Sequence, residues 1–143
     1  MNIVLDASIA VKWFNIKNED NVDIALEIQR RKISNKLEII VPDLFFLEIL
    51  NAFITKSKFS SGDVFIIEEA LHKMNLIIIF PDNNILKNAI KIAYNSHLTI
   101  YDSLYLEVAK VNNALLLTED KKILSCKNGF SFIHSLEEFK LFL

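Results

Sequence analysis

Short apolar runs alternate along the chain with longer stretches in which apolar and polar residues are mixed. The runs lie at residues 3–5, 39–41, 76–80, 114–117 and 130–133. They are nearly continuous in Ile, Leu, Val and Phe, which is typical of parallel strands that are covered on both faces. The pattern therefore predicts a central, mainly parallel sheet of about five strands.

The mixed stretches carry helix signals. Residues 20–32 begin with acids and end with bases, which complements the helix dipole at both ends. Further helices are predicted after candidate N-caps, namely Asp43, Ser61 or Asp63, Asp82, Thr99 and Ser135. Two helices fit between the second and third strands, and two more between the third and fourth. This alternation predicts right-handed crossovers and a three-layer α/β/α sandwich.

Composition limits the class of protein. A chain of 143 residues, 52% of them hydrophobic, suits a single domain spanning residues 1–143 with one core. No apolar run approaches the roughly 20 residues that span a bilayer. The first residues, MNIVLDASIAVKWF, do not have the pattern of a secretory signal, and one cysteine permits no internal disulfide. We therefore expect a cytoplasmic protein without a membrane partner.

Four carboxylates interrupt apolar surroundings. Asp6 ends the first predicted strand, and Asp120 follows the fourth. Glu48 and Asp102 lie in the first two turns of helices that begin from the same edge of the sheet. In an open parallel sheet, ligands bind beyond the carboxyl ends of the strands. We therefore expect the four acids to converge there.

Each acid also has a purely structural interpretation. Asp6 and Asp120 can each cap the helix that follows, and Asp102 has the spacing of a capping box. Glu48 has apolar neighbours that leave little solvent-facing surface, so a structural ion pair is its alternative role. These alternatives remain open for each residue taken alone.

Taken together, the acids indicate a divalent metal. Clustered carboxylates repel one another and resist burial unless a cation compensates their charge. Oxygen ligands select hard ions, so Mg²⁺ or Mn²⁺ is expected. Zinc ligation finds no support, because the three histidines are scattered and Cys126 is alone. A divalent metal beside a phosphodiester activates water and neutralises the leaving oxygen, which predicts hydrolysis.

The segments LDASIAVKWF, YDSLYLEVAK and LLTEDKKIL, together with the isolated Glu48, resemble the PIN domain, and in particular the VapC-type toxins of toxin-antitoxin pairs. The resemblance covers nearly the whole chain. It implies an Mg²⁺- or Mn²⁺-dependent endoribonuclease that acts on transfer RNA or other single-stranded or structured RNA. It also implies a homodimer that an antitoxin protein holds inactive.

In this resemblance, the acidic quartet that serves as catalytic and metal-binding residues is Asp6, Glu48, Asp102 and Asp120. Ser8 and Thr118 match small polar positions beside the first and last acids, where they can orient water or a phosphate oxygen, or cap a helix. Glu119 departs from the family pattern, and we expect it to point to solvent.

RNA phosphates require cations, yet the formal net charge is -2, so any contact must be local. Lys12, near the first acid, and Lys121, beside the last, are the candidates. Simple solvation of both lysines is the alternative.

Five phenylalanines crowd the third and fourth predicted helices, namely Phe45, Phe46, Phe53, Phe59 and Phe65. This is more apolar surface than one face of a small domain hides, so it predicts a partner surface for a homodimer. Ordinary core packing is the alternative.

Other functions fit the sequence less well. A phosphate-accepting signalling domain shares the fold but needs paired acids at the first strand. A phosphatase with a second acid two residues after the first is excluded, because Ala7 and Ser8 follow Asp6. A solitary PIN nuclease in RNA processing and a catalytically silent PIN-like binding module remain as alternatives, although the presence of all four acids argues against the silent one.

Overall fold

A five-stranded parallel sheet forms the centre of the molecule. The computed structural model describes residues 1–15, 17, 19–56 and 58–143, and the following statements concern these residues. The strands are β1 (Asn2–Leu5), β2 (Glu38–Pro42), β3 (Ile77–Ile79), β4 (Leu115–Leu117) and β5 (Ile133–His134). They pair in the order β3-β2-β1-β4-β5, and every pairing is parallel. The predicted α/β fold is confirmed, although β3, β4 and β5 are shorter than their apolar runs.

Helices connect the strands as the alternation predicts. They are α1 (Ala7–Ala10), α2 (Val22–Ile33), α3 (Leu44–Ile54), α4 (Ser61–Lys73), α5 (Asn83–Ser96), α6 (Ile100–Val111), α7 (Lys121–Leu124) and α8 (Leu136–Phe139). Short 3-10 turns follow α1 at Val11–Trp13 and α8 at Lys140–Phe142. None of the helices in the described part of the chain is long and apolar enough to cross a membrane.

The order in which the chain adds strands to the sheet changes sides at β1. From β1 the chain moves outward to β2 and β3, then returns to β4 on the other side of β1. Right-handed crossovers place α2, α3 and α4 on one face and α5, α6 and α7 on the other. A switch point therefore lies between the carboxyl ends of β1 and β4, where open α/β sheets bind their ligands. The backbone N–H of Asp6 donates to the carbonyl of Leu117 there, at 3.0 Å.

The core follows the central strands. Ile3, Val4 and Leu5 of β1 are fully buried, and α6 packs across β1, β2 and β4. The edge strand β3 differs, because Ile77 and Ile78 are exposed. Because successive residues of a strand point to opposite faces, both faces of β3 are partly open, and the expectation that all strands are covered on both faces is wrong there.

Local sequence predicts some helix starts and fails at others. Asp82, Thr99 and Ser135 cap their helices as expected, each accepting a hydrogen bond from a backbone N–H three residues on. Asp43 does not cap α3: its own backbone is helical, and its side chain makes no capping bond. Ser60, rather than Ser61, caps α4, with Asp63 as the reciprocal partner of a capping box.

Core packing accounts for most of the crowded phenylalanines. Phe45 and Phe53 are fully buried, and their rings meet Phe46 and Phe59 edge to face at centroid distances of 5.4 and 5.0 Å. Phe65 alone of the five stays open to solvent, with 68% of its surface exposed. Ordinary core packing, which was the alternative to a partner surface, therefore accounts for Phe45, Phe46, Phe53 and Phe59.

Candidate metal centre

Asp6 stands at the carboxyl end of β1, and its side chain is held by two hydroxyl groups. Only 6% of the residue is exposed. Its Oδ2 accepts hydrogen bonds from Ser8 Oγ and from Thr118 Oγ1, both at 2.7 Å. Although Asp6 precedes α1, its side chain makes no capping bond. The capping interpretation is therefore wrong for Asp6, and the two bonds leave Oδ1 available to other partners.

Asp120 lies in the turn between β4 and α7. Its backbone N–H donates to Thr118 Oγ1 at 3.0 Å, so Thr118 links the first and last acids. Its Oδ1 accepts from the backbone N–H groups of Lys122 and Ile123 at 2.9 and 3.0 Å. Asp120 therefore does cap α7. This role occupies one carboxylate oxygen and is compatible with a second role for the other.

Glu119 does not point to solvent, which corrects the expectation from the sequence. Its Oε1 accepts a hydrogen bond from the backbone N–H of Leu136 at 2.8 Å, at the start of α8. Its own backbone N–H donates to Ser8 Oγ at 3.2 Å. Glu119 thus anchors the turn that carries Thr118 and Asp120.

Asp102 and Glu48 approach from opposite faces of the sheet. The Asp102 N–H donates to Thr99 Oγ1 at 3.1 Å, but its carboxylate returns no bond to complete a capping box. Glu48 on α3 is exposed, contrary to the expectation that its neighbours leave it little solvent, and it forms no ion pair among the described residues. Its Oε1 instead accepts from the Tyr105 hydroxyl at 2.9 Å.

The four acids are close enough to repel one another. Burial, reinforced by Asp102 and Asp120, raises the pKa of Asp6 despite its two hydroxyl donors. Glu48 is exposed as a residue, but partial desolvation of its carboxylate, with the charges of the other three acids, raises its pKa to about 7 against the opposing effect of the hydrogen bond from Tyr105. Burial and the charge of Asp120 raise the pKa of Asp102. The charges of the four carboxylates therefore act on one another near the switch point of the sheet.

This site is open rather than a closed cage. Within the described residues, no three Asp, Glu, His or Cys side chains are close enough together to form a ready coordination sphere. Mg²⁺ usually keeps several waters and takes only one or two carboxylates directly. An oxygen-only donor set, strained by its own negative charge, fits such a hydrated divalent ion.

Comparison with known proteins agrees with this architecture. A model of the PIN domain family matches residues 3–127. The chain belongs to the PIN domain family. The resemblance noted from the acidic motifs is thereby confirmed at the level of the family. No curated protein sequence matches the chain.

Solved structures share the fold of this PIN domain over nearly their whole length. PAE2754 from Pyrobaculum aerophilum superposes with a TM-score of 0.66 at 21% identity, covering 99% of this chain and 96% of that one. A toxin-antitoxin complex from Klebsiella pneumoniae gives 0.67 at 15% identity, covering 94% and 97%. VapBC-1 from nontypeable Haemophilus influenzae gives 0.66 at 15% identity, covering 96% and 99%. At these identities the similarity establishes the fold.

The lysines near this PIN domain's acids are not equivalent. Lys12 is only 5% exposed, and its Nζ pairs with Glu19 at 2.9 Å. Lys121 is exposed at the start of α7, as the sequence suggests. Lys122, which the sequence analysis passed over in favour of Lys121, is close enough to Asp102 for its charge to lower the pKa of that acid against the larger effects of burial and Asp120. The charge of Lys122 therefore reaches the candidate metal centre.

Tyr105 is the other residue of the site that sequence reasoning missed. It lies three residues after Asp102 on α6, a spacing that places two side chains on neighbouring turns of one helix face. Burial, with the charges of Asp6 and Glu48, raises the pKa of its phenol, so the hydroxyl keeps its proton and acts as a donor. Its spacing of three residues from Asp102 on a predicted helix was the signal in the sequence that could have identified Tyr105.

Without divalent metal, the stability of this PIN domain should depend on pH near neutrality. Partial desolvation of the carboxylate and the neighbouring acids raise the pKa of Glu48 from 4.5 to about 7. The folded chain then binds this proton more tightly than the unfolded chain, so thermal stability should rise as the pH falls through about 7 toward about 5. Thermal unfolding of chelator-treated protein across this range measures the effect.

The substitution Glu48→Gln should flatten this dependence, because it removes the group that titrates. Glu68→Gln, at an exposed position on α4, provides the matched control and should leave the slope unchanged. Equal slopes in the wild type and Glu48→Gln would contradict the assignment of the titration to Glu48.

Proposed function

We propose that this PIN domain, spanning residues 1–143, is a metal-dependent endoribonuclease that hydrolyses RNA phosphodiester bonds. The observation that carries the proposal is the gathering of four mutually repelling acids at the switch point of the sheet. Such an arrangement is unfavourable in the absence of a cation, because burial and like charges both oppose ionisation. A function that requires a bound metal ion would explain why the chain keeps the four acids in this arrangement.

The residues that would hold Mg²⁺ or Mn²⁺ are Asp6, Glu48, Asp102 and Asp120. When bound, the ion supplies Lewis-acid activation of water and neutralises charge on the departing oxygen. The chain's own contribution is orientation. Ser8 and Thr118 fix the Asp6 carboxylate, while the first turn of α7 fixes that of Asp120.

RNA phosphates would approach over the start of α7. Lys121 and Lys122 are both exposed there, and Lys122 already acts on Asp102 through its charge. Because the chain is acidic overall, this local pair can attract a phosphate without making the whole surface basic. Lys12 is committed to its pair with Glu19, so we assign RNA contact to the α7 lysines instead.

We further propose that the nuclease is the cytoplasmic toxin of a toxin-antitoxin pair, with an antitoxin protein as its partner. Two of the solved structures that share the fold are described as a toxin-antitoxin complex and as VapBC-1. Both are similar to this chain over nearly their whole length, which supports a toxin-like domain. The alternatives are a solitary PIN nuclease in RNA processing and a catalytically silent binding module.

A second copy of the chain is the partner we propose for the exposed apolar surface. This β3–α5 surface comprises Ile77, Ile78, Phe80, Leu86, Ile90 and Tyr94, all of them exposed. Three of its members recur every four residues along α5 and so form one stripe, and β3, which precedes α5, is an edge strand that pairs on one side only within the described residues. Monomers rarely leave such a surface uncovered.

Cleavage assays with purified protein test the ribonuclease directly. Single-stranded RNA and transfer RNA should be cut in the presence of Mg²⁺ or Mn²⁺, and a chelator in excess should abolish the cleavage. Binding of the ion should also raise the free energy of unfolding by about 2.7 kcal/mol at an ion concentration of 100 times its Kd. The thermal midpoint should rise accordingly.

Cleavage that survives the chelator would point to a contaminating nuclease and contradict the metal mechanism. If neither cleavage nor a metal-dependent thermal shift occurs, the protein is a binding module.

A further inference from the structure

The hydroxyl group of Tyr105 lies where three acid-bearing segments meet. Tyr105 is on α6, one turn after Asp102, and is fully buried. Its hydroxyl donates to Glu48 Oε1 on α3 at 2.9 Å. The backbone of Ala7, the residue after Asp6, is near enough to lower the pKa of the phenol against the larger effects of burial and the neighbouring acids. One side-chain hydrogen bond thus joins the helix that carries Asp102 to the helix that carries Glu48.

Packing alone does not account for this hydroxyl. The ring of Tyr105 fills the core as a phenylalanine ring would, whereas burying a hydroxyl is unfavourable unless it is hydrogen-bonded. The one hydrogen-bond partner that the hydroxyl has among the described residues is Glu48, itself an acid of the site. The bond to Glu48 is therefore directed at the candidate metal centre.

Glu48 needs such a restraint more than Asp6 or Asp120. Asp6 has two hydroxyl donors, and Asp120 has two backbone donors. Glu48 has the longest side chain of the four and is exposed, so it loses the most rotamer freedom on being ordered. The Tyr105 bond is the one side-chain hydrogen bond that Glu48 makes among the described residues.

We propose that Tyr105 is a positioning residue that holds Glu48, through Oε1, in the orientation required to bind a divalent cation. The inference rests on the metal site of the proposed function. Partners that orient a ligand from outside the coordination sphere typically contribute 10- to 100-fold to metal affinity, which gives roughly the size of the effect expected here. The positioning acts on metal binding and is independent of which RNA is cut.

Binding of Mn²⁺ alone, followed by electron paramagnetic resonance of the free ion, tests the proposal without RNA. Tyr105→Phe removes only the hydroxyl and should weaken Mn²⁺ binding by about 10- to 100-fold. Tyr101→Phe makes the same change at an exposed position on the same helix and should leave the affinity unchanged. Circular dichroism of each variant checks the fold.

A double-mutant cycle separates positioning from general structural damage. If Tyr105 acts through Glu48, adding Tyr105→Phe to Glu48→Gln should weaken Mn²⁺ binding no further than Glu48→Gln alone. Additive losses would overturn the proposal, because they would show that Tyr105 acts by another route.

The wild-type protein offers a measurement that needs no folded variant. Addition of Mg²⁺ should shift the nuclear magnetic resonance signals of the Tyr105 ring, because the cation polarises the Glu48 carboxylate to which the phenol is bonded. Signals of exposed Tyr101 should stay in place. A Tyr105 ring that does not respond to saturating Mg²⁺ would overturn the proposal.

The outcomes distinguish this inference from the proposed function. Equal Mn²⁺ affinity in the wild type and Tyr105→Phe would overturn the positioning role while leaving a metal nuclease intact. Unaltered wild-type Mn²⁺ binding, with the expected loss in Tyr105→Phe but no RNA cleavage, would support the positioning role and count against the ribonuclease. A wild-type protein that binds no Mn²⁺ would overturn both.

Discussion

Replacing Asp6 by Asn should lower the rate of RNA cleavage by more than about 100-fold, because even residues that only orient a metal ligand contribute 10- to 100-fold. Asp6 is the most buried of the four acids and is fixed by Ser8 and Thr118. Asparagine keeps the shape and can still bond both hydroxyls, so the loss would report the missing charge. Cleavage at saturating Mn²⁺ under single-turnover conditions measures it.

The same substitution should make the metal-free protein more stable. Burial and the nearby acids raise the pKa of Asp6, which means that folding disfavours its ionised form. At a pH above the raised pKa the wild type carries this penalty and the asparagine variant does not, so the variant should unfold at a higher temperature in chelator. Addition of Mn²⁺ should stabilise the wild type strongly and the variant weakly.

Asp43→Asn is the matched control. Asp43 follows β2 at the same edge of the sheet, is exposed, and makes no capping bond. Its replacement should change neither cleavage nor metal-free stability. A stable Asp6→Asn variant that cleaves RNA at the wild-type rate would contradict the assignment of Asp6 to the metal site. A variant that loses activity and stability together would contradict the repulsion argument.

The positions of the acids could be predicted because they depend on features that the sequence shows directly. Continuous apolar runs mark the buried strands, and strand ends in a parallel sheet lie at one edge. Asp6 and Asp120 follow their strands immediately, while Glu48 and Asp102 fall in the first turns of helices that leave the same edge. Local pattern and topology were therefore sufficient for these four residues.

Roles that depend on distant partners could not be predicted in the same way. The sequence leaves Lys12 as a plausible RNA contact, but its ammonium is buried against Glu19. The sequence suggests that Glu119 faces solvent, but the fold places the backbone N–H of Leu136 beside its carboxylate. In both cases a charged side chain is satisfied by a group whose proximity is set by tertiary structure, and no periodic pattern encodes that proximity.

Replacing Ile90 by Lys should raise the dissociation constant of the proposed homodimer by at least about 30-fold, which corresponds to the 2 kcal/mol typical of a residue at the centre of an interface. Ile90 is the middle member of the α5 stripe, between Leu86 and Tyr94, and 47% of its surface is exposed. In a symmetric dimer each substitution places two lysines at the interface, so repulsion adds to the loss of apolar contact. Sedimentation velocity over a range of concentrations measures the change.

Ile54→Lys discriminates between the two apolar regions of the molecule. Ile54, at the end of α3, is 64% exposed and lines a cavity of about 300 Å³ with Phe65, the one phenylalanine of the crowded cluster that remains open to solvent. If the β3–α5 surface joins the subunits, Ile54→Lys should remain dimeric while Ile90→Lys dissociates. The reverse result would move the interface to the phenylalanine-rich helices that the sequence first suggested. A wild-type monomer at all concentrations would exclude both interfaces.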